Sequence, residues 1–382
     1  MTRESVAIAG VGTTAYTRDS GTTVLDLAVQ ACSAAISDAG LTVEDIDGIV
    51  TYQLGDSPRA VETAAAMGMD CPGWYSDFYD GGAGLATCVV ASSMAIDSGA
   101  AKRVVLFRAL NGRTGQRFGR FGAEASAANW QQWTLPFGLA TPPQFAALWA
   151  QRHAALYGTT SQQLGLVAVT LRQNANLNPQ ALFYQRTLSL EEHQASRVIS
   201  SPLRLFDCCL ESDGAAAVVL TTTSQASDLK HEPVILGGYA IGRTPAHSYP
   251  PIDWPDHTTT FVRHLVDRAF KMANVELGDV SFLELYDPFT IFVLTQLEDL
   301  GYCEKGEAGA FVADGHIART GRVPVNLNGG LLSEAYVHGL NNLVEAVRQL
   351  RHEAGERQVP NAQVGLVTAG EGERGGVLVF HR

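Results

Sequence analysis

Residues 35–52, "AISDAGLTVEDIDGIVTY", lie without a gap on residues 269–286, "AFKMANVELGDVSFLELY". Each stretch reads as the end of an amphipathic helix, an acidic turn carrying Asp45 or Asp279, and an apolar strand closing on Tyr52 or Tyr286. Further along, "GGAGLATCVV" from Gly81 and "GGLLSEAYVH" from Gly329 make a second pair in the same order. A third closes each half: "SDGAAAVVL" at 212–220 and "ERGGVLVF" at 373–380. One such pair arises by chance; three in one order imply a duplicated unit.

The unit is α/β. "SVAIAGVG" is an apolar strand, "TVLDLAVQACSAAISDAG" has helical spacing, and "GIVTYQ" is a second strand. The glycine turn of "DGGAGLATCVVASSMAIDSG" leads into a buried helix, followed by the strand "KRVVLFRAL". This alternation predicts a mostly parallel sheet covered on both faces. The halves are expected over 1–224 and 232–382, joined by the polar stretch "TTSQASDLKHE". The first is longer by an insert at about 111–200, which holds "RALNGRTGQRFGRFG" and several helices. Inserts of this length form lids or substrate platforms, or else pack as surface helices.

Composition narrows the function. With 46% hydrophobic and 17% charged residues among 382, the chain can bury a substantial core. A net charge of −12 excludes nonspecific nucleic-acid or membrane-surface binding, so an anionic ligand needs a local basic patch. The six cysteines include no CxxC pair, which fits reduced thiols in the cytoplasm and no structural zinc in this chain. No run approaches the roughly 18 apolar residues of a membrane span, and "MTRESVAIAGVG" is unlike a signal peptide. "AGVGTTAY" carries a lone GxG without the third glycine of a dinucleotide fingerprint, so nicotinamide binding is rejected.

A duplicated βαβαβ unit with a glycine-led helix in each half resembles the thiolase superfamily, over essentially the whole chain. The resemblance implies two stacked five-stranded sheets in a five-layered αβαβα fold, assembled as a homodimer. The departures from it carry the functional reading. The nucleophilic cysteine of thiolases falls at about Gly82, and Cys88 sits six residues later as a packed helix residue. The second cysteine becomes Thr368 in "LVTAGEG", and the two histidines become Tyr286 in "YDPF" and Tyr336 in "SEAYVHG". Acyl-cysteine chemistry is therefore not expected.

"YDPFTIF" (286–292), "SEAYVHG" (333–339) and "RLFDCCLESDGA" (204–215) are together similar to the steroid side-chain-cleaving aldolases of the superfamily. That resemblance implies a retro-aldolase acting on a β-hydroxyacyl-CoA steroid side chain. The leading substrate is 17-hydroxy-3-oxo-pregnene-20-carboxyl-CoA, giving a 17-ketosteroid and propionyl-CoA. It also implies a zinc-ribbon/OB-fold partner related to a hydratase domain, with any zinc held there and no cofactor in this chain.

Retro-aldol cleavage suits the substitutions. A proton leaves the β-hydroxyl, the thioester oxygen is held as it becomes an enolate, and the α-carbon is reprotonated. No covalent enzyme intermediate is needed. A phenol stays protonated at neutral pH and strengthens its hydrogen bond as negative charge builds on oxygen. Tyr336 is assigned to the substrate hydroxyl, as base or alkoxide-stabiliser, and Tyr286 to the enolate, with an exchange of roles left open. Asp287 caps a turn, His338 supports the site, and Glu334 orients the loop. Gly82 and Gly370 either present backbone N–H groups to a thioester oxygen or serve as turn glycines. Arg113, Arg117 and Arg120, with Arg108 nearby, either meet CoA phosphates or form salt bridges. Cys208 and Cys209 are read as packing residues. Two other readings compete: a noncatalytic acyl-CoA or lipid-binding relic of a thiolase, and an acyltransferase using Cys88.

Overall fold

The computed structural model describes residues 5–69, 72–115, 117, 131–245 and 256–382. The main strands are β1 (Val6–Thr13), β2 (Gly48–Gln53), β3 (Trp74–Tyr79), β4 (Val104–Asn111), β5 (Asp213–Thr222), β6 (Val234–Arg243), β7 (Phe282–Glu284), β8 (Val364–Ala369) and β9 (Arg374–His381). The helices that position the site are α1 (Val24–Asp38), α2 (Ala60–Met67), α3 (Gly84–Asp97), α4 (Pro142–Tyr157), α5 (Ser161–Ala175), α6 (Val262–Ala273), α7 (Thr290–Leu300) and α8 (Leu340–Leu350).

The strands lie in the order β3-β2-β4-β5-β1-β6-β9-β8-β7. Outward from the β1/β6 seam the sequence of roles repeats on each side: opening strand, closing strand, the strand before it, then the strand ending in tyrosine. On the second side the outermost place is taken by Val325, which bridges Leu283 in parallel. Among the described residues the seam consists of two pairs, Ala7 with Ile235 and Ile8 with Val234. The two half-sheets thus touch at one edge and face each other elsewhere.

Between them lie α3 and α8. Helix α3 packs on β2, β4 and β5 and also on β6, β8 and β9; α8 packs on β1 and β5 and on β7 and β8. Both are buried nearly all round, as a central layer requires. Helices α1 and α2 cover the outer face of the first half-sheet and α6 that of the second. The result is the five-layered αβαβα arrangement.

The acidic turns that revealed the repeat have equal jobs. Thr42 N donates to Asp45 Oδ2 at 2.9 Å, and Glu276 N donates to Asp279 Oδ2 at 2.8 Å, each closing a single helical turn before a strand. Two expectations need correction. Hydrogen-bonded neighbours are not mostly parallel: β5 is antiparallel to β1 and β4, and β9 to β6 and β8. β5 returns beside β4 after the long insert, while β9 follows β8 through a short hairpin turn, and each closing strand runs antiparallel to the strand before it. The second sequence pair is also out of register. Helix α3 begins at Gly84 and its counterpart α8 follows Gly339; the helix opened by Gly330 ends at Ser333. A Cβ on Gly84 would lie 2.6 Å from the Tyr52 side chain, and one on Gly339 would lie 3.0 Å from Tyr286. Glycine is used twice to let the repeat's tyrosine approach a central helix.

The insert lies against the loop that carries Tyr336. Asn174 Nδ2 donates to Val325 O at 2.9 Å, Asn178 Nδ2 to Asn328 O at 3.0 Å and Arg172 Nε to Ser333 Oγ at 2.9 Å. Its helix α5 is therefore a buried brace. The stretch from 118 to 130, which holds Arg120 and the end of the arginine-rich run, lies outside the described residues. Among the described residues no helix is long and apolar enough to cross a membrane.

Candidate active site

Tyr286 lies two residues past β7, and its backbone is locked from two sides. Tyr286 N donates to Thr368 Oγ1 at 2.8 Å; Thr368 Oγ1 donates to Gln296 Oε1 at 2.6 Å; Gln296 Nε2 donates back to Tyr286 O at 2.9 Å. Thr368, where a thiolase has its second cysteine, thus belongs to a closed hydrogen-bond ring linking β8, α7 and the tyrosine. Thr368→Val is expected to leave Tyr286 N and Gln296 Oε1 unpaired. It should cost about 1–3 kcal/mol for each unsatisfied group, read as a lowered Tm.

Tyr336 sits in the break between the short helix Gly330–Ser333 and α8. Tyr336 N donates to Ser212 Oγ at 2.9 Å, tying the loop to the first half. Buried Glu334 gathers Asn178 at 2.8 Å and Asn341 at 2.8 Å, along with Asn328, and so orients the loop as expected. Asp287 accepts from Leu331 N at 3.0 Å and Leu332 N at 3.3 Å, capping the short helix; burial pushes its carboxyl up to about 7.

These supports bring the two phenols together. Tyr286 Oη and Tyr336 Oη are 2.8 Å apart, in a small cluster with Leu110, Leu331 and Cys209. Leu110 also lines a cavity of about 350 Å³ with Val24, Asp56, Ser57 and Asn111, a size in the range of small-molecule sites. Both phenols are held well above their ordinary range, first by burial and then, among other causes, by the carboxylate of Glu371. Either hydroxyl can donate to the other across that contact.

Gly82 completes the pair. A Cβ on Gly82 would lie 2.0 Å from Tyr286 Cζ and 2.2 Å from its Oη. The phenol therefore occupies the space into which a cysteine at this position would project. Cys88 lies six residues on, fully buried in α3, with its thiol raised well above the usual range by burial. Gly370 has φ +108°, and a Cβ there would meet Arg374 O at 2.4 Å, so the turn itself requires glycine.

His338 is nearer the chemistry than its spacing suggested. Residues 336 and 338 diverge only if a helix has begun, yet His338 has φ +48° and α8 starts at Leu340. The His338 and Tyr336 rings are 4.8 Å apart. Arg113 and Arg117 both reach Glu211. Arg108 takes the salt-bridged alternative: its side chain is completely buried against Asp56.

Four residues escaped the sequence reading: Asp56, Ser212, Cys209 as a wall of the tyrosine cluster, and Glu371. The run "RLFDCCLESDGA" held part of the signal. Asp207 accepts from His193 or Thr290 at 2.9 and 2.8 Å, Cys209 N donates to Pro288 O at 2.8 Å, and Asp213 gathers Arg113 N and Thr114 N at 2.9 and 3.1 Å. The run straps the first half onto both tyrosine-bearing segments.

The fold and this geometry have relatives. Residues 246–381 match the family described as thiolase C-terminal domain-like. The chain is 41% identical to a steroid side-chain-cleaving aldolase of Thermomonospora curvata, over 96% of this chain and 95% of that one. It is 39% identical to a 17-hydroxy-3-oxo-4-pregnene-20-carboxyl-CoA lyase of Mycobacterium tuberculosis, over 97% and 98%. A solved structure titled Ltp2-ChsH2(DUF35) aldolase superposes with a TM-score of 0.93 at 39% identity, covering 99% of this chain and 98% of that one. With near-complete coverage at this identity, the chain belongs to the steroid side-chain-cleaving aldolases of the thiolase superfamily.

Proposed function

We propose that the protein is a carbon–carbon lyase that cleaves 17-hydroxy-3-oxo-4-pregnene-20-carboxyl-CoA to a 17-ketosteroid and propionyl-CoA. The observation that carries this is the phenol pair, Oη to Oη 2.8 Å, seated over a glycine that leaves no room for a nucleophilic side chain. Tyr336 takes the 17-hydroxyl proton or stabilises the alkoxide, with an exchange of roles with Tyr286 left open by the two-way bond between them. The C17–C20 bond breaks, its electron pair enters the thioester as an enolate, and Tyr286 donates a hydrogen bond to the enolate oxygen. Protonation at C20 gives propionyl-CoA, so the step needs neither oxidant nor covalent intermediate. Gly82 and Gly370 present backbone N–H groups to the thioester oxygen in this reading. Arg113 and Arg117 receive the CoA phosphates by exchanging Glu211 for them, and Arg120 joins them.

The TM-score of 0.93 to a chain from a DUF35-containing aldolase supports a hetero-complex. We assign the partner as a zinc-ribbon/OB-fold protein related to a hydratase domain, bound to a homodimeric core in the cytoplasm. The test is incubation of the purified chain, alone and with such a partner, with the 17-hydroxy steroid-CoA, following propionyl-CoA by mass spectrometry. Release of propionyl-CoA with a matching amount of ketosteroid is expected in the complex. Intact substrate in the complex overturns the assignment, and full activity of the chain alone removes the partner.

A further inference from the structure

Behind Tyr336 lies a buried charged assembly that the retro-aldol step does not use. Arg108 directs its guanidinium at three targets: Nε to His338 Nδ1 at 3.1 Å, NH2 to both Asp56 carboxylate oxygens at 2.7 Å, and NH1 to Ala109 O at 3.2 Å. NH2 also lies 2.9 Å from His338 Nδ1. The Arg108 side chain is wholly buried and that of Asp56 is 3% exposed. On the other side, Tyr52 Oη donates to His338 O at 2.9 Å. Tyr52 is the repeat counterpart of Tyr286, so both repeat tyrosines act on one loop.

The chemistry of the donors decides the state of the histidine. A guanidinium has N–H donors and no acceptor. A nitrogen facing two of those donors must offer a lone pair, which leaves the imidazole proton on Nε2. We propose that Asp56 and Arg108 act as a positioning pair that fixes His338 as a neutral imidazole with its proton on Nε2, so that the ring beside Tyr336 never competes with the phenols for the substrate proton. This rests on the reading of Tyr336 as catalytic. Groups facing the ring include Arg108 and Asp56 on the Nδ1 side and the Tyr336 and Tyr52 rings at 4.8 and 6.4 Å. Burial first, and Arg108 second, push His338 down to about 3, while Asp56 opposes them. The arrangement answers a hazard of a histidine two residues from a catalytic phenol: an ordinary imidazole titrates near neutrality. Dropping the charge at that point keeps the field on Tyr336 constant with pH.

The test has a spectroscopic arm and a kinetic arm. Nitrogen-15 histidine spectra of the full chain in its complex should show one residue, assigned by its loss in His338→Asn, with Nδ1 unprotonated and Nε2 protonated, unchanged between about pH 5.5 and 8. Titration of that signal in this range, or a proton on Nδ1, overturns the proposal. In Arg108→Met the lowering influence is removed while Asp56 stays, so His338 gains a proton to pair with it. An ionisation should then enter the kcat/KM profile between about pH 5 and 8, activity falling about tenfold per unit below it. The doubly uncharged Asp56→Asn/Arg108→Met variant should lose that ionisation and regain a flat profile. A flat profile in folded Arg108→Met overturns the proposal. If that variant does not fold, the spectrum of the unaltered protein decides alone. The spectra do not depend on turnover, so a wrong role for Tyr336 and a wrong tautomer are told apart.

Discussion

Tyr336→Phe is expected to lower kcat for side-chain cleavage by about 10²–10³, with little change in substrate binding, because it deletes a preorganised donor aimed at developing oxygen charge. Tyr286→Phe is expected to fall in the same range. The aromatic volume stays, so Leu110, Leu331 and Cys209 keep their contacts and the fold is preserved. The double variant should be less than multiplicatively impaired, since the two hydroxyls bond to each other at 2.8 Å and the loss of either already breaks that contact. The measurement is single-turnover release of propionyl-CoA by the four proteins of the cycle. If both single variants keep more than about a tenth of the parent rate, the phenols are not the chemical centre.

Gly82→Cys carries the second large effect. It restores the residue a thiolase needs, yet acyltransferase activity should not appear. The new Cβ would sit 2.0 Å from Tyr286 Cζ, so ring and side chain cannot both stay in place. Overpacking of this kind costs about 1–3 kcal/mol, and displacing the ring should remove cleavage activity as fully as Tyr286→Phe does. Gly82→Ala should behave alike, which separates the steric effect from the thiol. Gly81→Ala is the control: its Cβ would meet only Leu54 at 3.6 Å and His338 Nε2 at 3.9 Å, ordinary contact distances. Thiol-dependent acyl transfer by Gly82→Cys, with its Tm unchanged, would show that the glycine is not there to admit the phenol.

A side chain at position 82 and the Tyr286 ring thus exclude each other, since a Cβ on Gly82 would lie 2.0 Å from Tyr286 Cζ. Thr368 shows the same logic on the far side, where a hydroxyl both accepts from Tyr286 N and donates to Gln296, two roles that a thiol fills less well.

Much of this was legible in the chain order of residues. The gapless match of 35–52 with 269–286 exposed the repeat, and the acidic turns at Asp45 and Asp279 close in the same way in both copies. The tyrosines at 286 and 336 stood out through the resemblance of "YDPF" and "SEAYVHG" to thiolase motifs, with their places at a strand end and in a glycine-led loop in support. The register of the second repeat pair misled, because Gly329 imitates a helix start that runs only to Ser333 before the chain turns. His338 was set apart from Tyr336 by assuming that helix continued.

The amino-acid order alone determined the duplicated α/β architecture, because periodicity, turn chemistry and residue type are local properties, and its resemblance to the thiolases singled out the phenols at 286 and 336. Tertiary structure decided that the two hydroxyls touch, that Gly82 exists to admit a ring from the other half, and that Arg108 serves His338 instead of a phosphate. Those facts depend on which side chains meet across 204 to 230 residues of chain, as Gly82 meets Tyr286 and Arg108 meets His338 only when the half-sheets close on the central helices.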